Sequence, residues 1–360
     1  MAVKPASDIS AIQGYIENQD RQLINQSLNS MDIVSDLAAM GGVRRNVKSP
    51  LAFNKMTVDA GVRPLNLDIE KAKSGRKWTK RVLTPQRAMK IIKMIPEELR
   101  ETFMSDMLDI NAQEVPFGQW VWQQEFAKIA SEINDNIFFA KFHDDPEEWQ
   151  SGETYAVGDL VYFNEIIYRC VTITTAGESP ASAAAKWEDA DNQVLCDGFD
   201  HLLKFALSDQ GLSAVGTGSF DDDDAYDYFK EMWALVPEAH KNQGMVAHVS
   251  YGVHEDLAVN QNEKFGTGKG ISNSDIEEGR PFLMKGTAGR LRIVPHTWMK
   301  ASRRVIMTLP GNLTIGMNQV SDANKVGKIV HTLHGYRAIV KFMLGCQIRD
   351  LEPLYINDQE

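Results

Sequence analysis

Four places in this 360-residue chain hold residue types that could do chemistry. His331 and His334 stand three apart, yet no Glu or third ligand is placed with them, and the other six histidines are dispersed. Phe265-Gly266-Thr267-Gly268-Lys269-Gly270 hints at a phosphate loop. It lacks the four-residue gap and the closing Gly-Lys-Ser/Thr of a nucleotide-cradling loop, and no clear strand-to-helix context surrounds it. Asp221 to Asp224 look like a calcium site, but the alternating ligands, the Gly and the terminal Glu of a calcium loop are missing. Acids ahead of a helix favour its dipole, so N-terminal capping is the expected role of this run. Cys170, Cys196 and Cys346 are odd in number and far apart, matching neither a disulfide framework nor a zinc spacing, and are expected as reduced thiols of an intracellular product. Serines occur without a nucleophile-elbow pattern. The expectation is no catalytic residue, no metal and no cofactor, and a protein that is not an enzyme.

The elements that would have to position a site are more informative. Residues 1 to about 45 mix weak helical signals (Ile9 to Leu28, Met31 to Ala39) with polar spacers and end at Gly41-Gly42, which reads as an extended arm with little core of its own. From Lys55 to about Gln86 the pattern is β-like, with Met56-Thr57-Val58 and Trp78 to Leu83 separated by a charged turn at Lys71 to Gly75. A two-stranded hairpin is marginal alone, so this long basic one is predicted to lie on a partner. Arg87 to Asp109 has helical spacing through Met89, Ile92, Met94, Ile95, Leu99, Phe103 and Met107, divided at Pro96. After Pro116, the stripe Trp122, Phe126, Ile129, Ile133 and Ile137 predicts a core-facing helix over about 117–142, roughly 40 Å long.

Asp144-Asp145-Pro146 is expected to end that helix. Glu147 to Asp191 then differs in character, with Trp149, Tyr155, Gly158-Asp159, Val161-Tyr162, Tyr168 and Trp187 closely spaced. Helical spacing resumes at Phe199, so the segment reads as an inserted module with an aromatic core. A helix through Tyr226 to Leu235, a buried strand at Val246 to Val253 and a mobile loop at Lys264 to Gly279 follow. The chain closes on strands at Leu291 to His296, Arg303 to Leu309, Leu313 to Met317 and Tyr336 to Leu344, the last stopped by Gly345.

Net charge is −11, but between Arg44 and Lys93 there are 14 Lys/Arg against Asp59, Asp68 and Glu70. That is a local excess of +11 on a remainder near −22. A basic segment on an acidic body suits a neighbouring copy better than nucleic acid, because the body would repel phosphate. The predicted inter-subunit contacts are Arg44, Arg45, Lys55, Arg63, Lys71, Lys73, Arg76, Lys77, Lys80 and Arg81. No run of about 18 apolar residues suggests a membrane span, and Met1 to Asp20 has no apolar core of a secretory signal.

The order of these parts resembles a tailed-bacteriophage major capsid protein of the Hong Kong 97-type fold. Local matches include Phe205-Ala206 with Gly211 to Gly218, Trp233 to Pro237, and Met307 to Gly316. The resemblance covers about residues 45–143 and 192–355. It implies an α+β fold divided as follows: an N-terminal arm over 1–45, an extended basic loop over 46–90, a peripheral domain with its spine helix over 91–143, returning over 192–220 and ending over 313–360, and an axial domain over 221–312. The insert over 144–191 separately resembles a small chitin-binding-type carbohydrate module. It keeps Trp149, Tyr155, Gly158-Asp159, Val161, Tyr168 and Trp187, but has Val171-Thr172-Ile173-Thr174 where that family places adjacent tryptophans. Trp149, Tyr155, Tyr162, Tyr168 and Trp187 are thus its expected core or glycan platform, with Tyr162 as the platform candidate.

The resemblance implies self-assembly into hexamers and pentamers of an icosahedral virion shell, put together in the host cytoplasm. The shell would enclose double-stranded DNA without specific binding and meet portal and auxiliary or decoration proteins, and the insert would be displayed outside with weak glycan contact. Two alternatives stay open: an encapsulin-like cellular cage enclosing cargo, and a carbohydrate-binding or carbohydrate-active protein.

Overall fold

The structure, a computed structural model, describes residues 24–59, 62, 75–94, 117–143, 146–266, 279–318, 325–326, 330–332 and 335–359. Residues 24–30 are helical, and helix α1 follows at Asp32–Ala39. Ile24, Leu28, Met31, Ile33, Val34 and Leu37 are buried and belong to the largest apolar cluster of the molecule. The expectation of an extended arm with little core of its own is therefore corrected over 24–39. Ile24 and Leu28, four apart on the helical stretch 24–30, and Met31 in the link to α1 have found their partners within the chain. At about 1.5–3 kcal/mol per buried side chain, those six residues are a major contribution to the core.

Strands β1 (Val43–Arg44), β2 (Leu51–Val58), β3 (Arg76–Leu83) and β4 (Gln86–Met94) precede helix α2 (Phe117–Asn136). Helix α2 buries Val121, Trp122, Phe126, Ile129 and Ile133, the predicted stripe. It ends at Asn136, short of Asp144-Asp145, so its 20 residues run roughly 30 Å rather than 40 Å. Ser27 Oγ donates to Phe126 O at 2.9 Å, and Asn134 Oδ1 accepts from Ile33 N–H at 3.1 Å, fixing the N-terminal helices across α2.

The helical spacing read at Arg87 is overturned: Gln86–Met94 is a strand. It pairs antiparallel, residue for residue, with Tyr336–Leu344. Ala88 and Ile92 point into the core while Met89 and Ile91 are exposed, a period of two. An Ile-Ile pair fits a pleated surface, and nine consecutive pairings override the weaker three-and-four spacing of the same residues. Leu99, Phe103 and Met107 lie outside the described residues.

Residues 147–191 form a unit of their own: β5 (Leu160–Phe163), β6 (Ile166–Cys170) and β7 (Trp187–Asp189) make a three-stranded antiparallel sheet over a separate cluster of Tyr155, Val161, Cys170 and Trp187. Helices α3 (Phe199–Asp209), α4 (Ala225–Leu235) and α5 (Glu238–Gln243) lead into β8 (Met245–Val249) and α6 (Tyr251–Phe265). The strand expected to reach Val253 stops at Val249, because Ser250 caps a helix there, its Oγ accepting from Val253 N–H. Lys264 and Phe265 close that helix, and most of the expected Lys264–Gly279 loop lies outside the described residues.

Strands β9 (Phe282–Leu283), β10 (Leu291–Pro295) and β11 (Ile306–Thr308) follow, the last shorter than the Arg303–Leu309 run. Then come β12 (Leu313–Met317), β13 (Lys325–Val326), β14 (Val330–Thr332), β15 (Gly335–Ile348) and β16 (Leu354–Ile356). One sheet is built on β15, which pairs with β4, β12, β13 and β14, while β1 joins parallel to β12. The other has the order β16-β11-β8-β10-β9, with β8 and β10 parallel and all five residues of β8 buried. The first sheet covers the larger apolar cluster, and the second lies between that cluster, to which it gives Ile306, Leu354 and Ile356, and a second cluster of its own. Gly345 does not stop β15. It sits opposite Gly316 inside the ladder, where an added Cβ would lie 2.7 Å from Thr84 O, so it is glycine for close approach and not for a turn.

Candidate assembly surfaces

In an antiparallel pair, residues directly opposite each other share a face. The β2–β3 register therefore splits the hairpin into two sides. Phe53 with Arg81, Lys55 with Thr79, and Thr57 with Lys77 form one; Asn54 with Lys80, Met56 with Trp78, and Val58 with Arg76 form the other.

The first side is anchored to the chain's own body. Lys55 Nζ pairs with Asp350 at 2.5 Å and with Glu352. Arg81 donates to Ile348 O at 2.6 Å and to Gln347 Oε1 at 3.0 Å, and Gln347 Nε2 returns to Val82 O at 2.6 Å. The Arg349 guanidinium lies 5.3 Å from the Phe53 ring centroid. Partial burial alone would lower the Lys55 pKa, but its hydrogen bonds to Asp350 and Glu352 and their charge outweigh that and raise it. Burial lowers Arg81, with Asp350 opposing.

The second side meets no other strand among the described residues. Met56 is 45% exposed, Val58 55% and Trp78 68%, and Arg76 and Lys80 flank them without an ion pair among the described residues. Among the described residues this is an apolar centre between two cations, on a two-stranded sheet with both outer edges unpaired. Lys77, on the anchored side, is also exposed without an ion pair among the described residues. Arg44 and Arg45 lie at the hairpin's foot, lining an open groove of about 650 Å³ along Val43–Leu51. Arg63, Lys71 and Lys73 lie outside the described residues.

A second apolar surface was not foreseen from sequence. On the outer face of the first sheet, Ile91 stands directly opposite Ile339, with Met89 two residues away, and all three are exposed. The period-two pattern of residues 88–93 is the signal that would have found it.

Of the five insert aromatics, Tyr155 and Trp187 are buried with ring centroids 5.4 Å apart, and Trp149 and Tyr168 pack against them. Tyr162 alone is exposed, at 41%. Val171 and Ile173 are exposed where flat rings would be needed for sugar stacking, while Thr174 is buried with its Oγ1 accepting from Tyr155 N–H. Glu178, hydrogen-bonded by Lys186 and by Thr175 N–H, is held down to about 2.

The residues first weighed for chemistry do not converge. His334 and most of the Phe265–Gly270 loop lie outside the described residues. Asp221, Asp222 and Asp223 bring carboxylate oxygens within 4.8 Å of one another, but all three are exposed. Nor do they cap α4 as expected: no side chain caps that helix, and the acids instead brace their own turn, Asp224 Oδ1 accepting from Asp221 N–H and Asp221 Oδ1 from Asp223 N–H. All three cysteines are free and buried, and contact with Cys196 together with burial pushes the Cys346 thiol well up. No helix among the described residues is long and apolar enough to cross a membrane.

No protein-family model and no curated protein matches the chain. Among solved structures it is similar to a chain of the satellite phage P4 procapsid that includes the size determination (Sid) protein, at 10% identity over 93% of this chain and 89% of that one, with a TM-score of 0.49. It is also similar to the capsid of Myoviridae phage XM1, at 10% identity over 89% and 90%, TM-score 0.47. A third similar structure is a virus-like particle from Pyrococcus furiosus, at 9% identity over 96% and 99%, TM-score 0.42. Likenesses at this level assign no family.

Proposed function

We propose that this chain is the structural subunit of a closed icosahedral shell, a major capsid protein that assembles into pentamers and hexamers and encloses double-stranded DNA. The observation that carries this reading is the two-sided hairpin: one side fixed by Lys55 and Arg81 to its own body, the other presenting Met56, Val58 and Trp78. Exposed apolar side chains held on a rigid, unpaired sheet need a partner surface, and a second copy offers one at Met89, Ile91 and Ile339. Two different patches on one chain make a heterologous contact, which closes into rings when the rotation allows. Arg63, Lys71 and Lys73 belong to the same contact segment in this reading. Portal and decoration proteins would meet the finished shell, and the three-stranded unit would be displayed outside, with Tyr162 its single exposed ring for glycan contact.

Electron microscopy of the concentrated protein tests the reading. Closed particles are expected, and they should be lost in the double variant Met56→Ser/Trp78→Ser while the far-ultraviolet circular dichroism is unchanged. A wild type that stays a monomer at high concentration and low salt rules the reading out. Particles that fill with protein cargo and never with nucleic acid would favour the cellular cage instead.

A further inference from the structure

The seam between the three-stranded unit and the body holds a cleft. Two segments cross the seam side by side: Lys141 N–H donates to Gln193 O at 2.8 Å, Phe142 N–H to Asp197 Oδ1 at 3.2 Å and His143 N–H to Val194 O at 3.3 Å. Beside this double crossing lies a space of about 520 Å³, walled by the unit on one side and by α3 on the other. That volume falls in the range of about 300–1,000 Å³ usual for small-ligand sites, which favour seams between folding units.

Charge in the cleft is uneven. Asp200 is buried, and its carboxylate is already engaged by Lys204 at 3.0 Å and Arg304 at 3.7 Å. Asp159 Oδ2 accepts from Ala156 N–H at 2.7 Å. Lys141 and Arg169 also line the space, and neither has an ion pair or side-chain hydrogen bond among the described residues. These two positive charges thus line the space without an ion pair among the described residues, beside the carboxylate of Asp159 and with Glu188 opposite Arg169 in the β6–β7 ladder. Phe139 and Phe142 supply an apolar flank. The planar guanidinium fork matches the two oxygens of a phosphate or carboxylate, and hydrogen bonds to such charged groups are stronger than neutral ones.

We propose that this cleft is an oxyanion site, in which Arg169 from β6 and Lys141 from the crossing segment hold a phosphate or carboxylate group. The ligand is either a free small anion or an acidic side chain of a second copy, such as the exposed run Asp221–Asp223.

Phosphorus-31 NMR of inorganic phosphate, titrated with the full-length chain at low ionic strength, is the direct test. Saturable broadening is expected, weakened about tenfold or more in Arg169→Gln and in Lys141→Gln. Lys230→Gln, an exposed change on α4 away from the cleft, should bind as the wild type does. A wild type with no saturable broadening overturns the site, as does an equal loss in Lys230→Gln, which would report net charge alone. Unchanged near-ultraviolet circular dichroism shows that the variants are folded. A peptide copying residues 219–226 separates the sources: displacement of phosphate assigns the anion to a second copy, and retention of phosphate against excess peptide assigns a free ion.

Discussion

His248, His296 and Asp36 form a hydrogen-bond chain, buried at both histidines and half-buried at Asp36, that ties α1 to the second sheet. His248 Nδ1 meets His296 Nε2 at 2.7 Å, and His296 Nδ1 meets Asp36 Oδ2 at 2.7 Å, with Trp298 Nε1 donating to the same oxygen at 3.0 Å. The other nearby carboxylate on α1, Asp32, is engaged with Thr297 and Asn134. Burial and the neighbouring His296 push the His248 pKa well below 6.5. The sign follows from proton uptake: as pH falls below about 6.5, the unfolded chain binds a proton at this position and the folded chain does not. Stability should therefore be level above pH 6.5 and decline below it. Urea unfolding between pH 7.5 and 5.5 checks this. The wild-type midpoint is expected to fall more than that of His248→Asn, and parallel profiles would show that His248 does not carry the effect. Nothing in the sequence signalled this chain, because its three members come from segments as far as 260 residues apart, and a lone histidine in an apolar strand has no local pattern.

At the level of elements, β4 sets a strand reading against a helical one. Ile92 is 2% exposed and Ile91 is 49% exposed. Ile92→Ala is expected to cost about 2–5 kcal/mol and Ile91→Ala less than about 0.5 kcal/mol in monomer stability. Equal losses would argue for burial on both faces. Gly345→Ala, which forces a methyl toward the Thr84 carbonyl, should cost about 1–3 kcal/mol, read from the same unfolding curves. Elements whose pattern was dense in sequence appear much where expected: the Trp122–Ile137 stripe, the β2–β3 hairpin, β10, β12 and the aromatic cluster between 149 and 187. In each, several residues repeat one period, and burial follows that period. The failures share a different cause. Residues 24–39 read as having little core of their own because their helical signals are weak, and packing on α2, β1, β12 and residues 297–299 buries them. Residues 86–94 fit two periods, and the choice was made by β15, some 250 positions away in the chain. Ser250 ended a strand by capping, a single-residue event inside an apolar run. The hairpin's two-sidedness was half legible: its basic character was plain, but which cations anchor and which face outward depends on register.

For the whole molecule, the three-stranded unit has an apolar cluster of its own, whereas the second sheet serves both of the others, so the unit is the part that can be removed. The two crossings into the three-stranded unit lie hydrogen-bonded together at Lys141–Gln193 and His143–Val194, so joining 143 to 193 by a short Gly-Ser link should leave the body folded and able to assemble. Loss of assembly in a folded deletion variant would instead place the unit in the contact between copies. Charge acts at this scale too. The +11 of residues 44–93 is partly neutralised within the chain, with Lys55 on Asp350 and Glu352, Lys90 on Glu132 and Lys93 on Glu165. Arg76 and Lys80 remain on the outward side of the hairpin, beside Trp78. Exposed ion pairs contribute about 0–1 kcal/mol each and are screened beyond about 10 Å at 0.1 M salt, whereas burying a Met or Trp side chain contributes roughly 1.5–3 kcal/mol regardless of salt. The apolar centre should therefore decide whether copies associate, and the flanking cations how fast. Light scattering against sodium chloride concentration separates the two. Arg76→Glu/Lys80→Glu is expected to slow assembly at low salt and to flatten its salt dependence, while Met56→Ser/Trp78→Ser abolishes assembly at every concentration. A charge-reversed hairpin that assembles at the wild-type rate and with the wild-type salt slope would remove the basic segment from the contact and leave its apolar side to act alone.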